Sequence, residues 1–155
     1  MIYFDNNKNA YDENSKKKFN IQPICSIEDQ LWYEFSGDPD SWTIVDGKFV
    51  DLRQTAEYKQ KQKAKQKEHI SMLNLTGADV ERGIYKAKGM DFEDIVQMVT
   101  KNPPKGLDVK ALKIELKANN FYRGNPYVDA IGSLLGFSSY QLDKFFETND
   151  YNYLL

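Results

Sequence analysis

Few residues in this chain have side chains that could carry chemistry. His69 is the only histidine and Cys25 the only cysteine, too few for a zinc site with the usual ligand set. His69 lies at the end of a lysine-rich segment, which favours a solvated helix residue over a general acid or base. Cys25 has no base partner nearby, which favours a half-buried structural thiol over a nucleophile.

Closely spaced carboxylates occur at Asp38/Asp40 and at Glu93/Asp94. The first pair flanks Pro39 in a turn-like segment, and the second lies where the first turn of a helix favours anions. The Asp-x-Asp spacing lacks the remaining ligands of a calcium loop. The sequence contains no phosphate-binding loop, dinucleotide-binding loop or nucleophile elbow. We therefore predict a protein that is not an enzyme and that has no metal site and no cofactor.

Five lysines occupy alternate positions between residues 59 and 67. On a helix, this spacing places Lys59, Lys63 and Lys67 on one side and the other two lysines nearly opposite. The charge is therefore spread around the helix, and no aromatic side chains interleave for base stacking. A solvated linker is the preferred interpretation. Nucleic-acid binding through the basic rod of Lys59, Lys63 and Lys67 is the less favoured alternative, because the chain as a whole has no basic footprint for direct contact.

The most distinctive hexapeptide is Phe-Tyr-Arg-Gly-Asn-Pro at residues 121–126. Gly124 permits backbone conformations closed to larger residues, and Pro126 suits the first position of a helix. Arg123 is expected to hold a corner between helices, and binding of a partner protein by Tyr122 and Arg123 is the second interpretation.

The bulk composition describes a chain able to fold around a packed core. It has 155 residues, 41% hydrophobic and 14% aromatic, with 21 basic and 23 acidic residues and a net charge of -2. Duplex-binding proteins normally carry a strong positive charge, which this chain lacks. No apolar run is long enough to span a bilayer and no secretory signal is evident, so we expect a soluble protein made in a reducing cytosol.

The pattern of elements predicts an α+β protein in three segments. Residues 1–54 form a strand-rich head with one helix and a hairpin over residues 42–50, turning at Asp46-Gly47. The helix is expected to begin at an N-cap Ser26 and to continue through Ile27, Leu31 and Phe35.

The second and third segments are helical. Residues 55–74 form the lysine-rich connecting helix, starting at Thr55 and polar on all sides. Residues 75–155 form a helical domain of about five short helices. Their starts are marked by cap residues or a proline, namely Thr76, Asp91, Asp108, Pro126 and Ser138.

Nine short pieces of the chain resemble a group of small proteins that tailed bacteriophages and prophages encode among their tail genes. In the helical part they are residues 75–76, 84–90, 121–126, 131–132, 135–137 and 142–147, and in the head and linker they are residues 1–4, 42–51 and 55–58. The resemblance implies a phage-encoded origin, a location in the cytoplasm of the bacterial host and a tail-associated or accessory role. It implies no catalytic or binding residue.

Two functions follow as hypotheses. The first is a tail-associated structural or assembly protein that binds other tail components and self-associates, with Trp42, Phe49, Tyr122 and Arg123 as candidate contacts. The second is an inhibitor of a host defence system, of the anti-CRISPR type, that blocks a nucleic-acid channel by stoichiometric binding. Its candidate acidic surface is Glu28, Asp29, Asp38 and Asp40. The first hypothesis also predicts incorporation in the virion.

Overall fold

The computed structural model describes residues 1–155 as an α+β protein, which confirms the predicted fold class. The chain forms two compact units, Met1–Ala64 and Lys65–Leu155, each with its own buried apolar residues. The division falls inside the long helix, and the three segments drawn from composition stay a prediction. No helix combines the length and the apolar character needed to cross a membrane.

The first unit contains five short strands and two short helices before the long helix begins. Strand β1 lies between β2 and β3 in an antiparallel sheet, and β4 and β5 pair separately. The elements are β1 Ile2–Phe4, β2 Ala10–Tyr11, α1 Glu13–Lys18, β3 Cys25–Ile27, α2 Asp29–Phe35, β4 Trp42–Val45 and β5 Lys48–Asp51.

The hairpin predicted over residues 42–50 is confirmed. Trp42 pairs with Asp51 and Val45 with Lys48, and the turn residues have positive φ angles of 51° at Asp46 and 70° at Gly47. A type I′ turn requires such angles, and a short polar residue followed by glycine adopts them at low cost. The local sequence is therefore sufficient to specify this element.

Helix α3, Ala56–Met72, confirms the long polar helix. The hydroxyl of Thr55 accepts a hydrogen bond from the backbone N–H of Tyr58 at 3.2 Å, as expected of a cap residue. None of its residues is buried. The helix is 17 residues long, which corresponds to about 25 Å at 1.5 Å per residue.

The second unit holds five α-helices after α3, a two-stranded sheet and a final turn of 3₁₀ helix. These elements are β6 Asn74–Thr76, α4 Gly77–Lys88, α5 Phe92–Lys101, α6 Val109–Glu115, β7 Asn120–Tyr122, α7 Pro126–Leu134, α8 Ser139–Thr148 and the 3₁₀ helix Tyr151–Leu154. All five predicted helix starts are confirmed: Thr76, Asp91, Asp108 and Ser138 are side-chain caps, and Pro126 is the first residue of α7.

The core of the second unit lies between the apolar sides of α4 to α8 and one face of the sheet. Leu75 and Phe121 face each other across β6 and β7 and are both buried. They pack with a single cluster of buried side chains that includes Val80, Ile84, Ile95, Val99, Leu112, Leu116, Ile131, Leu142, Phe145 and Phe146. Burial of these side chains is the main contribution that holds the helices together.

Ser26 is not a helix cap, so this prediction is wrong. Ser26 lies in β3 opposite Tyr3, and Ile27 is a buried strand residue opposite Ile2. Helix α2 begins two residues later than predicted, at Asp29, with Glu28 as an N-cap that makes no side-chain bond. Pairing with β1 removes residues 25–27 from the helix because a central strand partner satisfies their backbone groups.

Helix α1 is a second helix of the head that the sequence did not indicate. The Asp12 carboxylate accepts the N–H of Ser15 at 2.6 Å, with Glu13 in the first turn and lysines in the last. This arrangement suits the helix dipole at both ends. None of its residues is buried, so no apolar stripe marks it in the sequence.

Candidate functional site

Each residue that was singled out for chemistry has surroundings that account for it without a catalytic or metal-binding role. His69 is exposed on α3, and Cys25 is a free, half-buried thiol in β3. Burial raises the pKa of the Cys25 thiol, so the thiol rather than the thiolate is favoured. No group of three or more histidine, cysteine, aspartate or glutamate side chains could hold a metal ion.

The Glu93/Asp94 pair belongs to the start of α5. The Asp91 carboxylate accepts the N–H of Asp94 at 2.8 Å, and the Asp94 carboxylate accepts the N–H of Asp91 at 3.1 Å. This reciprocal capping box satisfies two backbone donors that the first turn would otherwise leave unpaired. Asp94 therefore has a structural role at the helix end.

Trp42 and Phe49 are members of an aromatic cluster in the first unit. Their rings stack with centroids 5.3 Å apart and planes 12° apart. The ring of Phe4, which is fully buried, lies 5.2 Å from Trp42 and 5.8 Å from Phe49. The ring of Trp32 lies 5.4 Å from Trp42, and the ring of the buried Phe35 lies 5.0 Å from Phe49. The two candidate contact residues are half-buried, and packing of the head accounts for both.

The four acidic candidates of the head differ in their surroundings. Glu28 is exposed, and Asp29 is paired with the amino group of Met1 at 2.6 Å. Asp38 and Asp40 instead face the first turns of α3. The Asp38 carboxylate accepts hydrogen bonds from the Tyr58 hydroxyl at 2.6 Å and from the Gln62 amide at 3.1 Å.

Asp40 completes the attachment by pairing with Lys61 at 2.6 Å. The loop carrying Asp38 and Asp40 thus holds one side of the lysine-rich helix within the first unit. The three lysines predicted to share a side, Lys59, Lys63 and Lys67, are all exposed. Lys59 donates a hydrogen bond to Gln54 at 3.1 Å.

Arg123 is the most heavily engaged side chain of the second unit. Its Nε donates to the Asp143 carboxylate at 2.6 Å, its Nη1 lies 2.9 Å from Asp129, and its Nη2 donates to the Ser139 hydroxyl at 2.8 Å. The side chain is 7% exposed, so these three partners occupy each nitrogen of a guanidinium that has little access to solvent. Arg123 thus links α7 and α8, which is the position at a corner between helices that the sequence predicts.

The neighbours of Arg123 in the same hexapeptide have different positions. Tyr122 points away from the core and is 54% exposed, which leaves it accessible to a partner. Gly124 lies against α3, where a Cβ would approach the backbone oxygen and Cβ of Ser71 to 2.9 Å. The side-chain amide of Asn125 donates to Glu115 at 2.6 Å and so ties the start of α7 to α6.

A surface groove of about 360 Å³ lies between α7 and the loop that precedes α6. Its lining is mainly apolar and includes Pro104, Leu107, Ala130 and Leu134, with Lys105 and Ser133 as polar members. The sequence gives no sign of this groove, because the two stretches are more than twenty residues apart and neither has a recognisable motif.

Comparison of the chain with models of protein families, with curated proteins and with solved structures gives no match.

Proposed function

We propose that this protein is a non-enzymatic, phage-encoded module that binds other proteins and is associated with the virion tail. The phage origin and the tail come from the resemblance of its short sequence pieces. Action by binding other proteins is inferred from the structural role of those pieces in the fold.

The observation that carries the proposal is that two of these pieces in the second unit, residues 121–126 and 142–147, support one another. Arg123 of residues 121–126 and Asp143 of residues 142–147 form an ion pair at 2.6 Å. A Cβ at Gly132, in a third piece, would lie 2.5 Å from a methyl group of Leu142. These residues serve charge pairing and close packing between α7 and α8. Since these residues serve the fold, we assign the recognition of other proteins to the outward-facing side chains.

The surface of the second unit carries side chains suited to that task. Tyr122, Tyr140 and Tyr153 have exposed fractions of 54%, 65% and 40%. Tyrosine is enriched at protein interfaces, where a rigid ring buries much area and the hydroxyl finds a hydrogen-bond partner. Tyr122 is a candidate contact from the sequence, and it is the residue of the hexapeptide to which we assign partner binding.

Affinity purification of the tagged full chain from cells producing the phage tests the proposal. A phage protein of similar size with the same tag serves as the control. Recovery of tail structural proteins in a fixed ratio to this chain supports the tail association. Recovery of a host defence complex in a fixed ratio instead favours the inhibitor. A chain that elutes alone and runs as a monomer would overturn protein binding altogether.

A further inference from the structure

We infer that the groove between α7 and residues 104–107 binds a segment of a partner protein that carries an apolar side chain next to a carboxylate. The inference rests on the proposed protein-binding function and adds the place of contact and the chemistry of the partner.

The shape of the groove suits an apolar side chain. Helix α7 contributes Ala130, Ser133 and Leu134, which lie on one side of the helix at spacings of three and four residues. Pro104 and Leu107 form the opposite wall. The small side chain of Ala130 makes this surface concave. The volume of about 360 Å³ lies within the range of roughly 300–1,000 Å³ typical of ligand sites.

The wall opposite α7 is fixed before any partner arrives. Pro103 and Pro104 restrict the backbone, and the N–H of Leu107 donates to the carbonyl of Pro104 at 3.1 Å. Gly106 has a φ of 84°, in the left-handed region that residues with a Cβ rarely adopt. A preformed wall lowers the entropy lost on binding, because little of the loop has to be ordered at that moment.

The polar groups of the groove indicate the charge of the partner. Lys105 is exposed and has no carboxylate within 4 Å, and the Ser133 hydroxyl makes no hydrogen bond. A cation and a hydroxyl beside an apolar surface complement a carboxylate beside an apolar side chain. Ser133 and Gly106 are both exposed, so a polypeptide backbone can cross the groove while one side chain enters it.

Selection of displayed random peptides against the immobilised full chain tests this inference. We expect the selected peptides to share an apolar residue adjacent to Asp or Glu. Lys105→Glu is expected to weaken them roughly fivefold, as loss of an exposed ion pair implies. The matched control Lys117→Glu makes the same charge change at another exposed lysine and should leave affinity unchanged. Ala130→Leu fills the groove and should weaken binding roughly tenfold or more.

The control for the second substitution is Ala78→Leu, an exposed alanine in the first turn of α4. Thermal unfolding of all four variants shows that each one folds. Selected peptides without an acid, peptides insensitive to Ala130→Leu, or no enrichment at all would each overturn the inference. So would hexanoate that displaces the peptides at equal concentration, because the site would then belong to a small carboxylic acid. If Ala130→Leu still copurifies with its partners, the groove fails while the proposed function stands.

Discussion

Arg123 joins α7 and α8 to the strand that precedes them. Its guanidinium meets two carboxylates and a hydroxyl while its side chain is only 7% exposed. Removal of one partner from such a pair leaves a charge without compensation in a poorly hydrated place. The stability of the second unit is therefore expected to depend on this residue more than on any exposed ion pair.

The first prediction concerns this pair. Arg123→Met is expected to lower the free energy of unfolding by about 1–2 kcal/mol, because the half-buried Asp143 loses its cation, whereas Asp129 remains hydrated. A double-mutant cycle with Asp143→Asn should give a coupling energy of about 1–2 kcal/mol in urea denaturation. Lys144→Gln, at an exposed pair with Glu147, is the control and should change the free energy of unfolding much less than Arg123→Met. A coupling energy near zero would contradict the architectural role.

Asp5 supplies a prediction about pH. Its carboxylate accepts hydrogen bonds from the side-chain amide and the backbone N–H of Asn9, from the N–H of Asn7 and from the Tyr11 hydroxyl. The side-chain amide of Asn9 is the largest of the causes that lower the pKa of Asp5 below its usual value. A lowered pKa in the folded state stabilises the protein above the unfolded pKa, and that stability is lost as the pH falls through the folded value.

We expect Asp5→Asn to reduce the dependence of unfolding free energy on pH in the acidic range. The measurement is urea denaturation of wild type and variant at neutral and at acidic pH. Equal pH dependence in the two proteins would exclude Asp5 as a contributor. An NMR titration that finds the Asp5 pKa at or above its usual value would contradict the hydrogen-bonded geometry.

Close packing of α4 against α8 depends on Gly83. A Cβ at this position would overlap the ring of Phe145, which is almost completely buried. Gly83→Ala is therefore expected to destabilise the protein by about 2 kcal/mol, although alanine is the better helix former. Gly37→Ala is the control, since no atom lies within 4 Å of the added Cβ and its φ is not positive.

A second variant, Phe145→Leu, tests whether the loss of stability in Gly83→Ala comes from the contact with the Phe145 ring. Phe145→Leu removes part of the ring that the new methyl group meets, so the double variant should be less destabilised than the sum of the two single changes. Thermal and urea denaturation give the three values. Additive losses would mean that the two elements do not approach as closely as described.

Helix starts were predictable because their causes are local. Asp91, Asp108 and Ser138 each bind a backbone N–H two or three residues ahead, so the sequence alone carries the signal. The two-stranded sheet of β6 and β7 could not be predicted from the sequence. Its strands lie about 45 residues apart and are three residues long, and Leu75 meets Phe121 only through the packing of the helices around them.

Among the candidate contact residues, too, some could be interpreted from the local sequence and others could not. Arg123 could be assigned to a corner because a glycine and a proline beside it indicate a change of direction. Trp42 and Phe49 could not be separated into contact or core, since an aromatic residue in a hairpin serves both purposes. The groove at Ala130 could not be found, because concavity depends on where distant elements stop.

At the scale of the whole molecule, the chain is a scaffold of two compact units with a polar helix that spans their division. In the second unit, Arg123 forms ion pairs with Asp129 and Asp143, and Gly132 packs closely against Leu142. We propose that the exposed tyrosines and the apolar groove of the second unit recognise other proteins. We propose that this recognition takes place in the phage particle.

Quantitative mass spectrometry of purified particles tests this claim most directly. The measurement is the number of copies of this chain relative to a major tail protein, with the infected-cell supernatant as reference. The account predicts a small, constant ratio that survives gradient purification. Absence from the particles, with abundant protein in the supernatant, would contradict the tail association.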